Sequence, residues 1–383
     1  MKYKVTYLRE VVSFISKGIA PKYVEKDSID SVRVVNQRCN RNNRISLQNS
    51  RLNNLKMRNV PKIKYLHKGD ILINSTGVGT AGRVAQIKEN FDKPVTFDGH
   101  MILIRGNSQI DSLFLGYYLE KNQRVIEQFA EGSTGQTEIN RERLLDELVI
   151  KFPTSVDEQR RLAERFRLLD RKIDLNNQIN DNLFELNKII FNKVFASSKN
   201  YVPASDIAEI KIGKTPPRKE KQWFSVDKGI NWLSIKDMKS EGIFSMQSKE
   251  KLLSSAINKF NIQTVNEDTV LLSFKLTIGR VKLAAQEMVT NEAIAQFKNS
   301  KLPYQYLYTY LKLFHFETLG STSSIAKAIN SKILKSMPIL KPSTDDLNKY
   351  MNTAKPIFEK VKINQLENIN LLNIKKYLLN KLK

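Results

Sequence analysis

From Val156 to Phe195 the apolar positions recur in alternating steps of four and three. They are Leu162, Phe166, Leu169, Ile173, Leu183, Ile190 and Val194, and Asn176, Asn180 and Asn187 continue the series. That is the seam of a coiled coil. The stretch holds no Gly or Pro. Thr154 or Ser155 can cap its start, and Asp157 and Glu158 fall in the first turn, where the helix dipole favours acids. Forty helical residues at ~1.5 Å each make a rod of about 60 Å, which cannot bury its seam alone. A second seam runs from about Thr344 to Lys381 through Leu347, Met351, Ala354, Phe358, Val361, Gln365, Asn368, Leu372, Lys375, Leu379 and Leu382. Gln365 and Asn368 lie near its middle, as Asn176 and Asn180 do in the first. Polar positions in a seam fix register at some cost in stability, so these four residues are assigned to the register of the helix pair. Parallel pairing at equal register would align them too. Tandem units at opposite ends of a rod favour the antiparallel arrangement. Pro356 predicts a kink or restart in the second helix.

The intervening segments read as mixed α/β. Lys4 to Ser16 is an amphipathic lead-in. Strands are predicted at Ser31 to Val35, Asp70 to Ser75 and Arg83 to Ile87, a strand pair over Val95 to Arg105, a helix over Leu113 to Phe129, and a strand over Leu148 to Phe152. Gly77, Gly79 and Gly82 match the spacing of a dinucleotide fingerprint, but a strand rather than a helix follows, so a glycine-rich hairpin is expected. Gly213-Lys214-Thr215 is likewise no phosphate loop. Ala208 stands where the first glycine should be, and Pro216 blocks the helix. The expected boundaries are 1–152 and 199–342 for two globular domains, with long helices over 153–198 and 343–383.

Charge narrows the class. The net charge is +24 and the pI is near 9.8, which points to a polyanionic partner. No apolar run reaches membrane-spanning length and no signal-peptide core opens the sequence, so a cytoplasmic protein without membrane contact is expected. One cysteine, Cys39, allows no internal disulfide, and with three histidines it makes a zinc site improbable, so no metal is expected. Between Ser31 and Gly69 there are ten Lys/Arg and no Asp or Glu, with Asn and Gln interleaved. Cations neutralise phosphates, Arg reads guanine, and Asn and Gln read adenine. The bland alternative is a polar mobile loop. On the first reading the DNA-facing candidates are Arg33, Asn36, Gln37, Arg38, Arg41, Asn42 and Arg44, with Arg83 beyond. Those of the second domain are Lys214, Thr215, Arg218, Lys221, Lys236, Lys275 and Arg280.

The halves repeat. Gly82-Arg83-Val84 recurs as Gly279-Arg280-Val281, Gly132-Ser133-Thr134 as Gly320-Ser321-Thr322, Ile139-Asn140 as Ile329-Asn330, and Pro153-Thr154 as Pro342-Ser343. Each unit is a globular domain followed by a long helix. The fold class expected is therefore α/β (α+β): two globular domains separated by a pair of long antiparallel coiled-coil helices, as a tandem pseudo-repeat.

These motifs carry a resemblance. Val34 to Cys39, Asn74 to Val84 and Thr96 to His100 resemble one class of target recognition domain. Gly213 to Pro216, Trp232 to Met238, Leu272 to Val281 and Thr290 to Ile294 resemble another. Asp157-Glu158-Gln159-Arg160 at a helix start is similar to the conserved helices of the same family, whereas the second helix carries Asp346-Leu347-Asn348 instead. The chain thus resembles the specificity subunit of type I restriction–modification systems. The resemblance implies a non-catalytic reader of double-stranded DNA with no catalytic residue and no cofactor of its own. Each domain would read half of a bipartite asymmetric site. The helices would space the halves and dock two methyltransferase subunits, which bind S-adenosylmethionine and methylate adenine. Restriction/translocase subunits would join them.

Two rival readings remain. One is an enzyme acting on DNA, against which stands the lack of an adenine-methylation motif, a Walker A sequence or a Cys/His cluster. The other is a self-sufficient DNA-binding regulator or architectural protein.

Overall fold

A computed structural model describes residues 2–132, 137–275, 277–319 and 329–382. The Gly-Ser-Thr repeat falls mostly outside the described residues. The chain forms two compact units, Met1–Arg171 with Leu372–Lys383, and Lys172–Leu371. Both unit boundaries lie inside the long helices, Val156–Phe195 and Thr344–Lys381.

In the first unit, Val12–Lys17, Met101–Gly106, Ile71–Asn74 and Val84–Gln86 make one antiparallel sheet in that order. A second sheet has the order Val95–Phe97, Ser31–Val35, Arg51–Asn54, Tyr23–Val24. Its first pair is parallel, with Phe97 opposite Val35. The unbroken apolar run Ile71-Leu72-Ile73 follows from burial on both faces. Ile71 and Ile73 enter the core that holds Phe114, Phe166 and Leu379, and Leu72 enters a second core with Val35 and Phe97. Two predicted elements come out differently. Val95–Phe97 and Met101–Gly106 are strands but belong to different sheets. The helix expected over Leu113 to Phe129 is two, Ser112–Lys121 and Gln123–Glu127, broken at Asn122, whose Nδ2 turns back to the Tyr118 carbonyl at 2.8 Å.

The second unit repeats this topology. Glu209–Ile212, Ile294–Lys298, Val270–Ser273 and Val281–Ala284 stand in the same order as the first sheet, with Phe244–Ser245 added at the edge. Val289–Thr290 pairs parallel with Ile230–Leu233, as Val95–Phe97 does with Ser31–Val35. Both units also cross two chain segments at one point. Ile19 N donates to the Phe97 carbonyl at 3.0 Å, and Lys214 N to the Thr290 carbonyl at 3.0 Å. A Cβ on Gly18 would lie 2.2 Å from the Phe97 oxygen, and one on Gly213 2.2 Å from that of Thr290. The Gly-Lys-Thr-Pro stretch is thus half of a further repeat, Gly18-Ile19-Ala20-Pro21 being the other. Gly213→Ala is expected to destabilise the second unit by about 3 kcal/mol, because backbone and not a movable side chain blocks the Cβ. Urea denaturation checks this, and an unchanged midpoint would show that the crossing relaxes.

Both long helices start at capped ends. Ser343 Oγ accepts from Asp346 N at 3.1 Å and donates to Asp346 Oδ2 at 2.8 Å. Ser155 Oγ accepts from Glu158 N at 3.4 Å. Gln159, fully buried, donates to the Pro153 carbonyl at 2.8 Å and accepts from Asp111 N at 2.7 Å, so this motif residue serves the helix start. The second helix does not restart at Pro356 but runs unbroken to Lys381.

Within the second unit the helices pair antiparallel. Asn176 Nδ2 donates to Asn368 Oδ1 at 2.9 Å, Asn364 Nδ2 to Asn180 Oδ1 at 2.8 Å, and Asn368 Nδ2 to Asn177 Oδ1 at 2.8 Å. Gln365 is a correction to the register set. Its side chain leaves the helix pair and completes the edge strand instead. Oε1 accepts from Ile243 N and Phe244 N, both at 3.0 Å, and Nε2 donates to the Phe244 carbonyl at 3.1 Å. Asn364, one residue earlier, fills the helix layer.

Within the first unit the two helices meet in an ionic cluster. Asp170 accepts from Lys375 Nζ at 2.9 Å, from Tyr117 Oη at 2.7 Å and from Lys88 Nζ. Lys375 also pairs with Glu120 at 2.7 Å. Asp170 and Lys375 side chains are only 5% and 8% exposed. In the second unit Asn187, Thr309 and Tyr350 form a neutral buried network, with Tyr350 Oη 3.0 Å from Asn187 Oδ1.

Candidate nucleic-acid interface

The basic segment of the first domain is shaped by its asparagines. Asn36 is buried. Its Nδ2 donates to the Asn49 carbonyl at 2.8 Å, and its Oδ1 accepts from Arg38 N at 2.9 Å. Asn40–Arg41 and Arg44–Ile45 form a tight hairpin around Asn42 and Asn43, at φ 53° and 57°. Two successive left-handed residues are what a two-residue hairpin requires, and Asn tolerates them. Asn40 Nδ2 then ties this hairpin to the Arg83 carbonyl at 2.8 Å, and Asn43 Nδ2 ties it to the Val84 carbonyl at 2.9 Å. Asn74 Nδ2 holds the Gln37 carbonyl at 3.1 Å, and Ser75 N holds the His100 carbonyl at 2.8 Å. Segments 36–45, 74–84 and 96–100, distant in sequence, thereby make one surface.

Arg33, Arg38, Arg41 and Asn42 are exposed there, and Gln37, Arg44 and Arg83 are half-buried. Arg33 Nη1 reaches Ser50 Oγ at 3.2 Å, and Arg83 Nη2 reaches the Gly79 carbonyl at 3.1 Å. Arg38 and Arg41 have no carboxylate beside them among the described residues. Beneath, burial pushes the Asp98 carboxyl above its usual range, and Asp98 Oδ1 accepts from His100 N at 3.0 Å. Sequence reasoning passed over Asn40, Asn43 and Asn74 as positioning residues, and it placed Thr76 and His100 in the family-like stretches Asn74 to Val84 and Thr96 to His100 without counting them among the DNA-facing candidates. The available signal was the Asn42-Asn43 pair, a turn dipeptide between short polar arms.

In the second domain, Lys214, Arg218, Lys221, Lys236 and Lys275 are exposed, and Thr215 and Arg280 are half-buried. Lys214 Nζ donates to the Asn261 carbonyl at 3.1 Å, and the Thr215 hydroxyl donates to Glu292. Arg218 pairs with Glu250 at 2.9 Å and lies 4.3 Å from the Phe224 ring centre. Lys275 Nζ sits 5.3 Å from that of Phe274. Arg280 Nη1 donates to the Ile235 carbonyl at 2.9 Å, joining the loop after Ile230–Leu233 to the loop after Val270–Ser273. Those loops follow the strands equivalent to Ser31–Val35 and Ile71–Asn74, so Lys236, Lys275 and Arg280 occupy the place of the first domain's candidates, whereas Lys214, Thr215, Arg218 and Lys221 follow the crossing at Gly213, the place of Gly18 in the first domain.

Each face offers cations, amides and hydroxyls. No group of three or more His, Cys, Asp or Glu could hold a metal ion among the described residues. No helix among them is long and apolar enough to cross a membrane.

Known proteins match this architecture. The chain is 26% identical over 187 residues to the type I restriction enzyme HindI specificity subunit of Haemophilus influenzae, covering 46% of this chain and 39% of that one. It is 22% identical over 300 residues to the putative type I restriction enzyme MjaX specificity subunit of Methanocaldococcus jannaschii, covering 73% and 69%. The crystal structure of the type I restriction–modification S subunit from M. genitalium superposes over 100% of this chain and 96% of that one, with a TM-score of 0.56 and 16% identity, which shows a shared fold. The family model for the type I restriction modification DNA specificity domain matches twice, over residues 3–185 and 198–376. With two copies spanning nearly its whole length, the chain belongs to the type I restriction modification DNA specificity domain family.

Proposed function

We propose that this chain is the non-catalytic DNA-recognition subunit of a cytoplasmic type I restriction–modification complex. The observation that carries this reading is that two topologically equivalent domains present cationic loops at the same place while differing in the side chains there. Equivalent placement suits two readers on one duplex, and different side chains suit an asymmetric site with two unlike halves. The helices space the readers and dock two methyltransferase subunits, on which S-adenosylmethionine is bound, and restriction/translocase subunits join the assembly. Leu175, Ile179, Leu186 and Ile189 on the first helix are exposed and follow their own heptad-like spacing beside the occupied seam, with Ile363 and Leu366 exposed on the second. A second apolar stripe on an already paired helix suits a partner helix.

The test is an exchange of residues 1–152 for another first domain, with methylated adenines mapped in DNA treated with the reconstituted complex. One half-site should change while the other half-site stays. A self-sufficient regulator would instead bind its full site tightly without a methyltransferase partner, which gel shifts with and without that partner reveal.

A further inference from the structure

At the centre of the first domain's face three side chains from three segments form a chain. The Thr76 hydroxyl donates to Gln37 Oε1 at 3.5 Å, and its oxygen lies 2.8 Å from His100 Nδ1. A hydroxyl has one proton. In the tautomer with the imidazole proton on Nδ1, Thr76 accepts from the ring and directs its own proton at Gln37. In that tautomer His100 Nε2 is an acceptor, and the Gln37 amide supplies two N–H donors.

The surroundings hold this arrangement. The Gln37 carbonyl is tied by Asn74, that of His100 by Ser75 N, and His100 N by Asp98. Gly77, at φ +108°, lets its loop close over the amide, since a Cβ there would lie 2.6 Å from Gln37 Oε1. His100 is exposed, and Gln37 and Thr76 are half-buried. In the second domain Phe274 N binds the Ala293 carbonyl as Ser75 N binds that of His100, so Ala293 and Lys275 stand where His100 and Thr76 do. The constellation belongs to one face only.

We infer that Gln37 and His100, ordered by Thr76 as a positioning residue, read a single adenine in the half-site of the first domain. This rests on the proposed DNA-reading function. In the major groove adenine alone sets a donor, N6, beside an acceptor, N7. His100 Nε2 accepts from N6 and the Gln37 amide donates to N7. Guanine offers two acceptors there, cytosine a lone donor, and thymine an acceptor beside a methyl group.

The experiment selects duplexes from a library randomised in the first half-site, using the full chain with its methyltransferase partner. The wild type should choose adenine at one position. His100→Ala and Gln37→Ala should each weaken that choice roughly ten- to a hundredfold, and Thr76→Val should weaken it less, with the second half-site unaltered. Duplexes carrying 7-deazaadenine at that position should cost the wild type affinity but not Gln37→Ala. Purine, which lacks the N6 amino group, should do the same for His100→Ala. Unchanged selection, or equal loss at every position, overturns the inference. If exchanging residues 1–152 moves a half-site while these variants keep the wild-type choice, the inference fails and the DNA-reading function stands. If the exchange moves nothing, the function itself fails.

Discussion

Asp170→Asn should destabilise the first unit by about 3–5 kcal/mol, lowering its thermal midpoint by on the order of 10 °C. The substitution keeps the size of the side chain and removes its charge. Lys88 then loses the carboxylate it is paired with, and Lys375 keeps its pair with Glu120. Lys375 is 8% exposed and cannot reach water to compensate. Burial alone would raise the Asp170 carboxyl. The ammonium groups of Lys375 and Lys88 outweigh that and hold it below its ordinary value. The sign of the pH dependence follows. A carboxyl whose folded value is depressed contributes fully above its unfolded value, ~3.9, and loses that contribution as pH falls through the folded value. Midpoints of wild type and variant should therefore differ at pH 7 and converge in strong acid. A constant difference across that range would show that the substitution acts through packing.

Replacing Arg38 and Arg41 together by Gln should weaken DNA binding and flatten its salt dependence. Each phosphate contact contributes about 0.9 to the slope of log K against log salt, so losing two should reduce it by roughly two. If either arginine instead holds a guanine edge, the loss is about 1–3 kcal/mol at that base pair and selectivity there relaxes. Fold should be unaffected, since both side chains stand in solvent. Titrations at several salt concentrations distinguish the two, and unchanged affinity and slope would remove this segment from the interface.

The long helices were legible because a seam repeated over forty residues has one physical meaning. The tandem layout was legible because short motifs recur in order. The base-reading assignment was harder. An Asn in a basic segment reads alike whether its amide faces a nucleotide or its own backbone. Asn36, Asn40 and Asn43 bind the backbone, and only the fold reveals that the carbonyls of Asn49, Arg83 and Val84 lie beside them. Gln365 failed for a related reason. The heptad places it on the seam, but neighbouring positions share part of that face. The edge strand at Phe244 offers its side chain unpaired backbone groups that Asn364 does not meet. Strand partners were equally hidden. Val95–Phe97 and Met101–Gly106 are near neighbours in sequence, yet alternation does not say which sheet a strand enters.

The division of the chain has a consequence in time. The second unit is a single continuous stretch, 172–371, whereas the first is assembled from 1–171 and 372–383. Leu379 and Leu382 are buried in the first unit's core, and Lys121 Nζ donates to the Leu382 carbonyl at 2.6 Å. A ribosome releases residues 1–171 long before it makes these. Domains generally fold in the order of their synthesis. Here the earlier-made unit must wait, with the apolar ground for Leu379 and Leu382 uncovered, until the later one has been translated.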